Sequence, residues 1–292
     1  MKDRSLIAGL LLTVLLFLQG CLGNERMHVA EPRVELSDFI SISVIGKSEK
    51  GVILEQTSGY DHRPRLMYCV RPYFPGDFNS NLLGLAKGQD TTFRISVDSL
   101  LKYGYNPVLK NFKSGEFIDY KVRVNEIVKR SGKSDSLFNA AVEELKRKET
   151  DLAKHTEANK IQQYIAVNPH RQRMINENIY YNFLVEGAGE LPKKGNRVKV
   201  FYSLASLGGK VFETNIVEKA VSSGIYNKGL PYLPIEVEVA DVARSGFELL
   251  LSKLKLNTQI AAVLPSKYAY GAGGNRFLPA YAPVLIYLHR VR

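Results

Sequence analysis

The sequence predicts an α+β fold in two antiparallel sheet modules, each wrapped on a short helix and joined to the other by a long helix. Three observations carry this. From residue 179 onward, short strand-like runs alternate with glycine and proline turns around one helical stretch near residues 246–254. Residues 35–129 pass through a diverged version of the same order. Between them, residues 136–167 hold no glycine or proline until Asn168-Pro169 stops the run.

The first residues bear on compartment rather than fold. Lys2 and Arg4 precede an apolar run over residues 5–18, which is too short to span a bilayer and has the two regions of an export signal. The run closes on Leu18-Gln19-Gly20-Cys21, and small residues before a cysteine resemble a lipobox. That resemblance implies that residues 1–20 are removed, that Cys21 is acylated, and that residues 21–34 tether the protein to the membrane through lipid, without a transmembrane helix. It places the protein in a Gram-negative cell envelope, on the periplasmic face of the outer membrane. The alternative is an ordinary signal followed by a chance cysteine.

There are two cysteines, so once Cys21 carries lipid only Cys69 remains and no internal disulfide can form. Cys69 lies in the apolar run Met67-Tyr68-Cys69-Val70, as a buried, inert thiol would. A hydrophobic share of 45% is enough for real cores, and a formal net charge of +11 makes the chain basic. In an exported protein such basicity points toward anionic head groups or acidic partners, and a generic solvated basic surface explains it better. No stripe of Lys/Arg interleaved with aromatics suggests nucleic acid.

In the N-terminal module, residues 35–130, Phe39 to Val44 alternate as a half-buried strand, and Glu49-Lys50-Gly51 turns into a second strand, Val52 to Glu55. Residues 82–89 and 93–95 then lead to Tyr103-Gly104, and Phe117 to Val124 closes the unit. Two unrelated half-buried sheets would also account for this pattern. In the linker, residues 131–174, Asp135 can cap a helix whose apolar stripe is Phe138, Ala141, Val142 and Leu145 at the start and Ala158, Ile161 and Ile165 near the end. Residues 146–157 are almost wholly polar, with Glu143–Arg147 and Glu144–Lys148 in helix-stabilising order. Such a helix reads as a spacer, packed at its ends and solvated in its middle.

The C-terminal module, residues 175–292, opens with a strand from Ile179 to Leu184 and a turn at Pro192 to Gly195. Val198-Lys199-Val200-Phe201-Tyr202 follows, then the turn Leu207-Gly208-Gly209-Lys210 and the strand Val211-Phe212-Glu213-Thr214. Much later come Tyr268-Ala269-Tyr270-Gly271 and a closing strand over residues 283–289. This grouping resembles FKBP-type peptidyl-prolyl isomerases over roughly residues 176–292.

The resemblance implies a half-barrel fold and an apolar aromatic cup for a proline ring, with no cofactor and no metal. It implies that Tyr202, Phe212, Glu213, Phe247 and Tyr270 are the catalytic set, with Tyr270 binding a peptide carbonyl. Ile235, Leu278 and Ile286 would bind substrate, Leu278 within the apolar flap Phe277-Leu278-Pro279. Glu213 stands where an aspartate is usual, Phe247 where a tryptophan is, and Ile235 and Ile286 where phenylalanines are. By residue type alone, Tyr202, Phe212 and Phe247 also suit plain core packing. Tyr270 is more telling, because a glycine loop normally holds such a ring at the surface and its hydroxyl needs a partner.

Other chemistries lack support. Gly271-Ala272-Gly273-Gly274 is followed by no Gly-Lys-Ser/Thr, the five histidines have no ligand spacing, and no Gly-x-Ser-x-Gly elbow occurs. Two readings follow. One is an envelope isomerase acting on proline-containing unfolded or extended chains as a folding assistant. The other is a non-catalytic lipoprotein that binds extended chains or a partner complex. In the N-terminal copy Val44 and Leu54 match Tyr202 and Phe212, and only Glu55 and Tyr103 echo the site. That copy is expected not to isomerise proline, and the C-terminal segment alone is expected to keep most of the activity.

Overall fold

The computed structural model describes residues 31–57, 63–104, 112–168, 173–175, 178–240 and 245–292. Cys21 and the export signal lie outside the described residues. Pro32–Arg292 form one compact unit of the α+β class: two antiparallel sheets, each packed on short helices, with a 33-residue helix between them in sequence. Among the described residues no helix is long and apolar enough to cross a membrane.

The first sheet is built from β1 (Phe39–Ser48), β2 (Ile53–Gln56), β3 (Arg65–Tyr68), β4 (Asp90–Ser96) and β5 (Phe117–Val128), with α1 (Val97–Lys102) following β4. Its order is β2-β1-β5-β4, and β3 also pairs with β1. Alternation along β1 sends Ile40, Ile42 and Val44 into a core with Val122, Val124, Ile118, Leu82 and Leu100. The residues between them are not all solvated as alternation alone would have them, for Phe39 and Ser41 are also buried. They face the long helix, so both faces of this central strand are covered. Cys69 is fully buried in the same core, as its apolar run indicated.

The second sheet comprises β6 (Arg173–Ile175), β7 (Ile179–Val185), β8 (Arg197–Ser206), β9 (Val211–Thr214), β10 (Ile235–Glu238), β11 (Gln259–Leu264) and β12 (Val284–Val291). Its order is β10-β8-β12-β11-β7-β6, with β9 on β8. Strand β6 pairs with β7, so residues expected in the linker already belong to this sheet. Two short helices accompany it, α3 (Val217–Ser222), which the sequence did not suggest, and α4 (Gly246–Leu251). The Ser245 hydroxyl caps α4 by accepting from Glu248 N at 3.3 Å. Glycine at 246 lets that helix press on the sheet, because a Cβ there would stand 2.6 Å from Leu264 Cδ2.

The two sheets share a plan. Strands β3-β1-β5-β4 run in the same order as β10-β8-β12-β11. The turn after β1 and the turn after β8 make the same bonds: Gly51 N to Ser48 O at 2.8 Å and Ser48 N to Val52 O at 2.9 Å, against Gly209 N to Ser206 O and Ser206 N to Lys210 O, both at 2.9 Å. Gly51 and Gly209 have φ of 78° and 90°, the left-handed region that glycine enters without strain. Both hairpins then carry a bulge at the same place. Leu54 is skipped between the pairs Gly46–Glu55 and Lys47–Ile53, as Phe212 is between Leu204–Glu213 and Ala205–Val211. The modules differ in their helices, since α4 precedes β11 while α1 follows β4.

The long helix α2 (Asp135–Val167) starts one residue earlier than expected, and its cap is Ser134, whose hydroxyl accepts from Leu137 N at 3.4 Å. Asp135 is the first helical residue and pairs with Arg130 instead. Phe138, Val142 and Leu145 pack against Phe39, Leu66 and Val128, while Ile161 with Tyr164 and Ile165 packs against Leu207, Val263, Tyr180 and Leu285. Ala158 is exposed rather than part of the stripe. The middle is solvated on one side and bonded on the other. Glu149 accepts from Ser41 Oγ at 3.1 Å, Thr150 Oγ1 accepts from Arg63 Nη2 at 3.1 Å, Ala153 is buried, and the Glu157 carboxylate accepts from the backbone N–H and, at 2.9 Å, the hydroxyl of Ser266. Glu149, Thr150 and Glu157 bond to the modules on that side, while Arg147, Lys148, Asp151, Lys154 and His155 are exposed on the other.

Candidate functional site

Strand β8 presents Val198, Val200, Tyr202 and Leu204 on one face, where they join Leu250, Leu251, Leu254, Ile260, Ile286 and Leu288 in the core of the second sheet. Tyr202 is the first of the row to carry a hydroxyl, and it is half-buried toward the open end. The bulge in β9 lets Phe212 turn into the same core while the next residue, Glu213, reaches Tyr202, whose phenol donates to Glu213 Oε1 at 2.7 Å. The Phe247 ring, from α4, meets Tyr202 edge-on with centroids 6.2 Å apart.

The remaining members come from the loop 265–283 between β11 and β12. Tyr270 meets Phe212 edge-on at 6.4 Å, and Phe277 stacks on Phe212 at 6.0 Å. Leu278 is buried beneath them. Gly274 makes the loop possible, because it has φ of 59° and a Cβ there would come within 2.5 Å of Leu278 O. Asn275 Oδ1 accepts from Phe277 N at 2.8 Å and Leu278 N at 2.7 Å, which closes the flap on itself.

Seven of the eight expected site residues therefore meet: Tyr202, Phe212, Glu213, Phe247, Tyr270, Leu278 and Ile286. Ile235 does not. It sits on β10 opposite Val200 but is 39% exposed and outside the apolar cluster, whereas Val237 and Val239 pack against it. The strand enters the sheet with Ile235 at its rim, so this wall is open. Sequence reasoning passed over Asn215, which accepts from Tyr202 N at 2.6 Å and donates to Val200 O at 3.1 Å and Leu233 O at 2.9 Å. It fixes the backbone beneath Tyr202, and an asparagine just past a strand gave no signal beyond that of any turn residue.

The electrostatics keep both phenols protonated. Burial first, then the Glu213 bond and charge, pushes Tyr202 well above the ordinary tyrosine value. Burial and then the Glu213 charge push Tyr270 upward, against a smaller opposing hydrogen bond from Asn275. Each is a hydrogen-bond donor at neutral pH. Glu213 is engaged by Tyr202, and among the described residues nearby no nucleophile is paired with a base. Among the described residues no group of three His, Cys, Asp or Glu side chains could hold a metal ion. The site offers apolar surface, a Tyr202 phenol already given to Glu213 and a Tyr270 phenol that can donate, and among the described residues it holds no acid–base machinery.

Two cavities flank it. One of about 360 Å³ runs along Phe212, Phe277, Leu278 and Tyr281 and is also lined by Arg63 and Arg65. The other, about 830 Å³, lies on the opposite face of the second sheet, along Tyr180, Ser203, Ala205, Ala261 and Leu285.

No protein-family model matches the chain, and no curated protein does. Solved structures do match. FkpA from Escherichia coli is similar at 19% identity and a TM-score of 0.43, over 56% of this chain and 74% of its own. A peptidyl-prolyl cis-trans isomerase from Pseudomonas syringae is similar at 19% identity and a TM-score of 0.37, over 48% of this chain and 94% of its own. The N-terminal domain of FKBP42 from Arabidopsis thaliana is similar at 18% identity and a TM-score of 0.35, over 41% of this chain and 90% of its own.

Proposed function

We propose that the C-terminal module is a peptidyl-prolyl cis-trans isomerase that assists the folding of exported proteins. The observation that carries this reading is the convergence of Phe212, Phe247, Leu278 and Ile286 on one apolar cluster rimmed by the hydroxyls of Tyr202 and Tyr270. Rotation about a peptide bond is opposed by roughly 18 to 20 kcal/mol because the C–N bond shares the carbonyl π system. In the rotation transition state the amide is twisted, its carbonyl is less polar and its nitrogen is pyramidal. A dry apolar cup around the proline ring favours that state over the more dipolar planar amide. Tyr270, kept protonated by burial, donates to a substrate carbonyl and holds the chain while the prolyl bond turns. Tyr202, tied to Glu213, forms part of the wall and fixes the carboxylate. No proton transfer and no metal is needed.

In this reading the substrate is any unfolded or extended polypeptide with an accessible proline, and Cys21 is acylated so that the site works at an envelope membrane. A protease-coupled assay with a proline tetrapeptide and the full chain tests it. Acceleration of the cis-to-trans step in proportion to protein supports the reading, and a rate equal to the uncatalysed one refutes it.

A second reading has its own support. The exposed Ile235 leaves one wall open, and the first sheet has Val44 and Leu54 in place of the tyrosine and phenylalanine of the cup. A module of that kind binds extended chains without turning their prolyl bonds.

A further inference from the structure

The loop 265–283 carries Tyr270 and Leu278, and both of its ends are held from outside the C-terminal module. At its start, Ser266 donates through its backbone N–H and, at 2.9 Å, through its hydroxyl to the Glu157 carboxylate on α2. At its end, Arg63 Nη1 donates to Ala280 O at 2.7 Å. Arg63 belongs to the N-terminal module, just ahead of β3, and its second nitrogen bonds to Thr150 on α2 at 3.1 Å. Pro64 follows it and restricts the Arg63 backbone to extended conformations, which aims the side chain. Lys154 adds a cation 6.0 Å from the Tyr281 ring centroid.

Inside the loop, hydrogen bonds link these two anchors. Gly271 N donates to Ser266 O at 2.8 Å, and Tyr281 N donates to Gly271 O at 2.9 Å. Tyr270 is therefore attached one residue from the middle of a chain that runs from Glu157 through Ser266, Gly271 and Tyr281 to Arg63. Among the described residues these bonds to the Glu157 carboxylate and from Arg63 are the ones that reach Ser266 N and Ala280 O from outside the loop. The Arg63 guanidinium is drawn from water, with burial pressing its pKa down against the pull of Glu149. Such a group is held only where its hydrogen bonds are made.

We propose that Arg63 and Glu157 are positioning residues for the proline site: they clamp the loop that presents Tyr270 and Leu278, so that the N-terminal module and the long helix set the geometry of the C-terminal cup. The proposal rests on the isomerase reading for its effect on turnover, but the clamp itself is a structural claim. It also revises the expectation that the C-terminal segment alone keeps most of the activity, since that segment contains neither anchor.

The test uses the full chain with Arg63→Ala, Arg63→Lys and Glu157→Gln. Hydrogen–deuterium exchange over residues 265–283 is measured beside tetrapeptide kinetics. Arg63→Ala and Glu157→Gln are each expected to speed exchange in the loop about tenfold while leaving β8 and β12 unchanged, because the loop opens locally and the sheet does not. The same variants raise KM about fivefold with kcat little changed, since a displaced Tyr270 weakens the hold on the substrate. Arg63→Lys keeps a cation within reach of Ala280 O and falls between. A merely structural role would lower the active fraction, and so kcat, without moving KM. If Arg63→Ala loses its folded circular dichroism, the nearly isosteric Glu157→Gln decides. Loop exchange and KM both equal to those of the unaltered chain in these variants overturn the clamp. An unaltered chain with no isomerase activity overturns the functional reading, and loop exchange then decides the clamp by itself.

Discussion

The phenol of Tyr202 donates to the carboxylate of Glu213 across the bulge that separates β8 from β9, at 2.7 Å. This bond ties the first wall of the cup to the strand that supplies its aromatic, Phe212. Tyr202→Phe removes the donor and leaves a partly buried carboxylate without it. We expect a stability loss of about 1 to 2 kcal/mol, as for other hydrogen bonds to a charged group near the surface. We also expect kcat/KM to fall by about tenfold, the equivalent of ~1.4 kcal/mol in transition-state binding. Denaturant titration and tetrapeptide kinetics on the variant check both, and unchanged kinetics would remove the Tyr202 hydroxyl from the mechanism.

Phe212→Ala takes away the ring on which Tyr270 and Phe277 rest and is expected to lower activity strongly, whereas Lys210→Ala on the neighbouring turn is not. Truncating a core phenylalanine can cost about 3 to 5 kcal/mol, so circular dichroism must show that the variant is folded. The same variant reports on the N-terminal module. There Val44 and Leu54 occupy the positions of Tyr202 and Phe212, and Tyr103 stacks on Phe74 at 4.8 Å. We expect a folded Phe212→Ala chain to retain no activity attributable to that module. Substantial residual turnover would show a second active site.

The hairpins were legible because their signals are local. A period of two, a glycine at the turn and an acid in the second strand sufficed to align Val44 with Tyr202 and Leu54 with Phe212, and the backbone bonds at the two turns agree with that alignment. What stayed hidden depends on partners far away in sequence. Glu149, Thr150 and Glu157 look like any solvated helix face, and only the fold shows that each bonds to a module. Strand β6 and helix α3 are too short to carry a periodic signal. Ile235 was assigned by resemblance alone, and the path of β10 leaves it at the rim.

The Cys69 thiol gives a pH prediction independent of function. Burial first, then the charges of Asp38 and Asp77, raises its pKa from 9.0 to about 11. The folded state thus keeps a proton that the unfolded chain gives up near pH 9. Stability is fully present below pH 9 and is lost as pH rises from there toward 11, by about 2 to 3 kcal/mol at most. Unfolding free energies measured from pH 7 to 11 should show this slope in the unaltered chain and a shallower one in Cys69→Ala. Identical slopes would contradict it.

The proposed lipid anchor at Cys21 rests on the sequence. Cys21→Ser is expected to leave an uncleaved or soluble precursor and to abolish partitioning into the detergent phase. A variant that partitions like the unaltered protein and carries lipid would show that attachment lies elsewhere.

The central claim is that the C-terminal cup turns prolyl bonds rather than merely holding chains, and exchange spectroscopy by NMR on a short X-Pro peptide at equilibrium separates the two. Uncatalysed interconversion takes tens to hundreds of seconds, too slow for exchange cross-peaks. With the full chain present at substoichiometric concentration, the account predicts cis–trans exchange cross-peaks at an unchanged cis-to-trans ratio, and their loss in Phe212→Ala. Peptide resonances that shift or broaden on binding without such cross-peaks would contradict the account and establish a binding module instead.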